Sequence, residues 1–242
     1  MKIIVFSDVH GNLESLRRVV EEFRAIEPDL VVSLGDVVGY GAQPAECIEL
    51  VWKTADILIS GNHDYAAAGL TPTDNFNPVA RNSIKWTADA LNQRQINFLK
   101  SFQPLVHRRD CLFTHSSPLS PLEWPYITTL AQSREILEKT EEKFIFIGHT
   151  HIPALISFDS HGQIEYLLNS PVRIEPGFRY LINAGSVGQP RDGINAACFT
   201  LLDTDSGFIE QKRVEYDFRA TQREILHAGL PERLASRLES GE

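Results

Sequence analysis

Cysteine is scarce in this chain of 242 residues, with three in all, Cys47, Cys111 and Cys198. They are odd in number, widely spaced and set in apolar stretches, which argues against a disulfide framework or a Cys-rich zinc site and reads as reduced core thiols. Long hydrophobic runs are missing too: no stretch approaches the ~20 apolar residues of a membrane span. A first strand starting at Lys2 leaves no room for a signal peptide, so the expected compartment is the cytoplasm. Positive charge is in deficit, 23 Lys and Arg against 32 Asp and Glu for a formal charge of −9, which argues against a long nucleic-acid partner. Small anionic substrates stay open, because bound dications would reverse the field inside a pocket. Repeats, low-complexity linkers and a clean domain boundary are also lacking. With 43% hydrophobic and 23% charged residues, one globular domain over 1–242 is expected.

What the chain does have is a fixed order of short polar motifs, each at the tip of an apolar run. They are Asp8-Val9-His10, Gly35-Asp36, Gly61-Asn62-His63-Asp64, Thr114-His115 and Gly148-His149-Thr150-His151. The runs Lys2 to Ser7, Leu30 to Leu34 and Ile57 to Ser60 have strand length, and Leu13, Leu16, Val19, Val20, Phe23 and Ile26 follow the first at helical spacing. A second helix is expected from Pro44 to about Trp52, a helical region over 77–102, and a helical tail over 218–238 broken at Gly229-Leu230-Pro231. Strands alternating with helices predict an α/β fold with a largely parallel sheet, whose ligand crevice lies beyond the carboxyl ends of the strands. After His151 the pattern changes to short β segments, around 154–158, 164–168, 180–183, 196–202 and 208–216, expected to form a second, mostly antiparallel sheet.

Carboxylate, carboxamide and imidazole with no thiolate form the ligand set of divalent metals such as Mn, Fe(II) or Zn. Asp8 and His10 stand two apart in an irregular loop and can converge on one ion, although either alone would also serve as a helix cap or a surface residue. Asp36 lies between Gly35 and Gly39, whose missing side chains let a turn approach metals closely, and its carboxylate can bridge two ions or make an Asx-turn. Asn62 is a neutral ligand that leaves a second metal electron-poor, with His63 free to act as an acid and Asp64 placed to orient that ring. His115, His149 and His151 bring three imidazoles to one rim.

As an ordered set these motifs resemble the calcineurin-like metallophosphoesterase superfamily, the match running from Asp8 to about Arg191. The resemblance implies a four-layer α/β/β/α sandwich of two mixed sheets flanked by helices, with a dinuclear centre at its edge. By position, Asp8, His10, Asp36 and His151 would hold one metal, and Asp36, Asn62, His115 and His149 the other, with Asp36 as bridge. His63 would be the outer-sphere acid and Asp64 its partner. Two divalent ions ~3.5–4 Å apart, Mn(II) in the first instance with Fe, Zn, Ni or Co as alternatives, can share a hydroxide that attacks phosphorus in line.

Departures narrow the reading. In the protein Ser/Thr phosphatase and symmetrical diadenosine tetraphosphatase branches, the second motif continues with Asp-Arg and the third ends in Glu. Here the stretches are Asp36-Val37-Val38-Gly39 and a third motif ending in Asp64, so the sequence is more similar to the small bacterial and archaeal phosphodiesterase-like branch. The loop Asn183 to Arg191 also has its counterpart there, and offers Arg191 as a bidentate phosphate partner or a structural ion pair. Tyr40, just after Asp36, is a candidate to stack on a nucleobase, whereas Trp86, at helical spacing with Val79, reads as core. The segment Ser117 to Pro125 is expected to rim the metals. The implied activity is hydrolysis of a small phosphodiester, phosphomonoester or nucleotide. A dinucleoside-polyphosphate hydrolase and a non-catalytic metal-binding scaffold on the same fold are the alternatives.

Overall fold

The computed structural model describes residues 1–168 and 170–242. A short, β-branched apolar run suits a strand covered on both faces, and Lys2–Phe6 (β1) is buried from Ile3 onward. Helix α1 (Leu13–Ile26) starts where the Asn12 side chain accepts the Ser15 amide, and it buries Leu13, Leu16, Val19, Val20 and Phe23 at the spacing of one helical face. There follow β2 (Leu30–Ser33), α2 (Pro44–Thr54), β3 (Ile57–Leu58) and the short α3 (Asn62–Ala67). The helical region from 77 is two helices, α4 (Pro78–Ala90) and α5 (Gln93–Leu99), parted where Asn92 starts a new capping box with Gln95. Then come β4 (Leu105–Arg108), β5 (Cys111–Thr114), α6 (Leu130–Lys139), β6 (Phe144–Ile147), β7 (Ala154–Phe158), β8 (Ile164–Tyr166) and β9 (Val172–Arg173). The chain continues with β10 (Arg179–Asn183), β11 (Ala197–Asp203), β12 (Phe208–Val214), α7 (Phe218–His227) and α8 (Glu232–Ser240).

The strands form two mixed six-stranded sheets, ordered β3-β2-β1-β11-β12-β9 and β4-β5-β6-β10-β7-β8. Successive side chains on a strand point to opposite faces, and that alternation writes the layers. Ile3 and Val5 of β1 pack inward with Phe113, Phe146, Tyr180 and Ile182 of the other sheet. Ile4 and Phe6 face outward onto Leu16, Val20 and Phe23 of α1. On the far side Leu112, Ile145 and Leu181 pack on Ile136 and Leu137 of α6. The result is helix, sheet, sheet, helix.

The expectation that the strands after His151 build their own sheet fails. They are divided: β7, β8 and β10 extend the sheet of β5 and β6, whereas β11 and β12 join β1. The reason lies at the edges. With β2 parallel on one side, β1 would expose its other row of amides and carbonyls, and β11 covers it in antiparallel register, Lys2 opposite Asp203. Likewise β10 lies parallel to β6, Asn183 opposite Ile147.

The tail docks on its own chain, Ile225, Leu230, Leu234 and Leu238 packing with Tyr40 and Ala80, while Leu226 stays exposed. The three cysteines are buried and unpaired. No described helix is long and apolar enough to cross a membrane.

Phe146 stacks on Phe113 between the sheets, ring centroids 5.3 Å apart. Phe146→Ala is expected to lower the unfolding free energy by about 3–5 kcal/mol in urea titrations. Leu226→Ala should stay within about 0.5 kcal/mol of the parent.

Candidate metal centre

Every polar motif leaves the carboxyl end of a strand: Asp8 and His10 follow β1, Asp36 follows β2, Asn62 and His63 follow β3, His115 follows β5, and His149 and His151 follow β6. Backbone hydrogen bonds lace these loops together, from Asp8 N to Gly35 O at 3.0 Å, His10 N to Asp36 O at 2.9 Å and Gly148 N to His115 O at 2.9 Å. The 183–191 loop braces them, since the Gly188 amide and Ser186 hydroxyl both donate to the Asp8 carbonyl.

Left-handed backbone is uncommon for residues with a Cβ, yet it is concentrated here. Asp8, His10, Asp36, Tyr40, His149 and His151 have φ of 56, 49, 51, 61, 68 and 61°. Strain of this kind persists only where the surroundings over-determine it, and the loop lacing supplies that determination. Two glycines make room: a Cβ on Gly61 would stand 2.0 Å from Asp36 Oδ1, and one on Gly39 would stand 2.4 Å from His63 Nδ1.

The side chains gather around two buried carboxylates. Asp8 Oδ1 lies 3.2 Å from His151 Nε2 and 3.7 Å from His10 Nε2. Asp36 Oδ2 lies 3.3 Å from His115 Nε2 and 3.7 Å from His10 Nε2, so that it stands between the two groups. Two potential metal sets result, Asp8 with His10 and His151, and Asp36 with His115 and His149, while His63 closes a third with His10 and Asp36. Carbonyls set the imidazole tautomers. His10 Nδ1 faces Val38 O at 3.1 Å, His115 Nδ1 faces Leu34 O at 2.8 Å and His151 Nδ1 faces Gln189 O at 2.6 Å, which assigns a proton to Nδ1 and, in the neutral ring, leaves Nε2 as a lone pair.

Two of those lone pairs then confront each other. His10 Nε2 and His151 Nε2 are 3.0 Å apart. Such a contact repels unless a proton or cation is shared. Two nitrogens ~2.1 Å from one ion and at right angles stand ~3.0 Å apart. Asp8 Oδ1, Asn62 Oδ1 and His149 Nε2 are also buried without hydrogen-bond partners. Orphaned acceptors and facing lone pairs fit divalent cations.

Electrostatics agrees. Burial opposes ionisation of Asp8 and Asp36, yet both carboxyls are held well below the usual range, Asp8 by His151 and His10, Asp36 by His115 and His63. Burial likewise opposes a charged His115, but Asp36 outweighs it and raises the ring to about 9. Burial lowers His149 to about 4, helped by His115, and His151 to about 3, with Asp8 opposing and Arg191 contributing.

His63 is buried, its Nδ1 without a partner and its amide donating to Asp36 Oδ1 at 2.9 Å. The expected Asp64–His63 pair is not formed. Among the described residues, Asp64 takes hydrogen bonds from the amides of Val37, Val38 and Gly61 and none from the His63 ring. Its carboxylate ties the Asp36 loop to the start of α3, because three unsatisfied amides there outcompete one imidazole. Tyr40 packs tilted against the His63 and His10 rings, with centroids 4.5 and 4.6 Å away and planes inclined by 54 and 51°. It therefore walls the site, in a position where its face is already covered. Arg191 stands with its guanidinium carbon 5.9 Å from the Tyr40 ring centroid.

A cleft of about 580 Å³ opens beside Asn62, His63 and His149, with Phe76, Leu122, Glu123, Trp124 and Tyr126 among its walls, so the 117–125 segment does supply part of the rim. Sequence reasoning missed Tyr126, stacked on His149 at 4.2 Å, and Gln189, which holds His151. Neither carries a local pattern; only the nearness of Tyr126 to the anticipated rim hinted at it.

Comparison with known proteins places this geometry. The sequence model of the calcineurin-like phosphoesterase superfamily domain matches residues 1–207. The protein MJ0912 of Methanocaldococcus jannaschii is 35% identical over 245 residues, covering 98% of this chain and 96% of that one. Phosphodiesterase YfcE of Escherichia coli is 25% identical over 211 residues, 85% of this chain and 89% of that one. A crystal structure of a metallophosphoesterase from Sphaerobacter thermophilus superposes with a TM-score of 0.86 at 36% identity, covering 100% of this chain and 99% of that one.

The proton balance of the metal-free protein follows from these environments. His115, raised from 6.5 to about 9, stabilises the fold fully below 6.5 and loses that contribution as pH climbs through about 9. His149 and His151 act oppositely: below 6.5 the unfolded chain takes up protons that the folded rings resist down to about 4 and about 3, so stability falls with acid as well. Urea midpoints of metal-stripped protein across this range should peak near neutrality. Adding Mn(II) at about pH 8 should release about one proton per chain in weak buffer, and release of none would contradict ligation by His115.

Proposed function

The chain belongs to the calcineurin-like phosphoesterase superfamily, and we propose that it is a dinuclear metal-dependent hydrolase of a small phosphodiester or nucleotide. The observation that carries this reading is Asp36, whose Oδ2 stands 3.7 Å from His10 Nε2 and 3.3 Å from His115 Nε2, within reach of one imidazole from each group. Asp8, His10, Asp36 and His151 would hold one ion, and Asp36, Asn62, His115 and His149 the other. When bound, two such ions lower the pKa of a water and stabilise the attacking and leaving oxygens of an in-line displacement.

The chain's own residues supply the rest. Carbonyl partners hold the Nδ1 side of His115 and His151 and so aim Nε2 of each ring inward, and Asp64 holds the Asp36 loop in register with α3. Burial, opposed by Asp36 and helped by the neighbouring histidines, holds the His63 ring well below its usual proton affinity. The ring is neutral at rest, and the charge of a phosphoester anion brought beside it favours uptake of one proton from solvent as the substrate binds, which the ring then gives to the leaving oxygen. The cleft of about 580 Å³ at Asn62 and His63 has room for an ester with an organic group on each side, which favours a diester or nucleotide over a phosphate monoester alone. The relative YfcE, a phosphodiesterase by name, supports the same choice. A binding scaffold would have no use for an unpartnered His63 beside a complete ligand set. The formal charge of −9 fits a small substrate in place of a long nucleic acid.

Metal-stripped protein titrated with Mn(II) is expected to hydrolyse a chromogenic phosphodiester faster than its monoester counterpart, and Asp36→Asn should abolish the metal-restored turnover. His63→Ala should retain the metal, by elemental analysis, and lose about 10²–10⁴ in turnover. Undiminished turnover would remove His63 from the mechanism.

A further inference from the structure

Arg191, Arg233 and Arg237 line one cavity of about 430 Å³, together with Tyr40, Asn77 and Tyr126, and among the described residues its lining includes no carboxylate. In a chain of net charge −9 such a cluster is out of character. Among the described residues, arginine ion pairs belong to Arg18, Arg134, Arg213 and Arg223, and none to these three. What holds two of them is a neutral oxygen: Gln189 Oε1 accepts from Arg191 Nη2 at 2.9 Å and from Arg237 Nη1 at 3.0 Å. Arg237 Nε turns to the backbone oxygen of Glu242, and Arg191 Nε is buried with no partner. A carboxamide orients guanidiniums without neutralising them, so their mutual repulsion is relieved only in part, by Glu242 beside Arg237. Burial and the neighbouring Arg191 lower Arg237 to about 10.

The cluster is wired to the metal centre. Gln189 accepts His151 Nδ1 on its backbone oxygen while its side chain holds the arginines, and the Arg191 amide donates to His151 O at 3.2 Å. The cavity meets the substrate cleft along Tyr40, Asn77 and Tyr126, which line both. Two of the arginines come from α8, beyond the residues 1–207 shared with the superfamily domain.

We propose that Arg191, Arg233 and Arg237 form a second anion subsite, which receives a further phosphoryl group of the substrate whose scissile ester lies at the metal centre. The proposal rests on the phosphoesterase reading of that centre. Guanidinium forks match phosphate oxygens bidentately, and a phosphoryl group has enough terminal oxygens for three of them, where a carboxylate has two. The arginines thereby select a doubly phosphorylated small molecule over a simple diester.

The test is calorimetric binding of alkane bisphosphonates of increasing spacer length to the Mn(II)-loaded full chain, each against the alkylphosphonate of equal length. One spacer should bind about tenfold or more tighter than its one-headed control. Arg233→Gln combined with Arg237→Gln should erase that margin and leave the affinity of the one-headed ligand in place. Sequestration of Mn(II) by the ligand is common to parent and variant and cancels. Arg233→Glu, at an exposed position, carries the test should loss of the Arg237 contacts disturb the fold. No two-headed advantage at any length, or one that survives these variants, overturns the subsite. Inorganic phosphate held by the arginines beside a one-headed ligand, with no two-headed advantage, would make a free anion the occupant and overturn it equally. Binding needs no turnover, so a protein that shows the two-headed margin but hydrolyses neither simple nor doubly phosphorylated esters would fail the hydrolase reading alone, and an active one without the two-headed margin would fail the subsite alone.

Discussion

Two carboxylates, Asp8 and Asp36, are taken almost completely out of water, and most of the site's architecture answers that one cost. A desolvated carboxylate costs several kcal/mol unless paired, and the pairing here is a fan of imidazoles whose far nitrogens are pinned to backbone carbonyls. The left-handed backbone at six neighbouring positions is the local geometry that aims those groups inward. Loop lacing between β1, β2 and β6 ends keeps that geometry from relaxing.

The two sheets divide the labour. Asp8, Asp36 and Asn62 leave one sheet, His115, His149 and His151 the other, so the spacing between the ligand groups is a property of how the sheets pack. The apolar layer of Val5, Val32, Phe113 and Phe146 therefore serves chemistry as well as stability. Asp36, taking the His63 amide on one oxygen and facing His115 with the other, is where sheet packing becomes site geometry.

The candidate ligand positions were legible because each stands within a few residues of an apolar strand end, and the polar interruption of an apolar run is a local signal. His10, Asp36 and His151 needed no knowledge of partners. Sheet membership was not legible for β11, since a short apolar strand reads the same beside β1 as beside β10 and only edge pairing decides. Asp64 misled for a related reason: adjacency to His63 suggests a pair, but the amides of Val37 and Val38, twenty-odd positions away along the chain, reach its carboxylate first. Gln189, Tyr126, Arg233 and Arg237 arrive from loops and a remote helix, where one polar or aromatic residue looks like any surface residue.

Strand β1 is clasped between β2, some thirty residues on, and β11, near position 200. Ribosomal synthesis delivers these partners in that order, so a nascent chain holds its first strand with one edge open until most of the polypeptide has emerged. Closure across so long a loop is entropically slow, and an open apolar edge in the meantime invites association with other chains. The sheet order thus defers the completed pairing of β1 until β11 is available to cover its second edge.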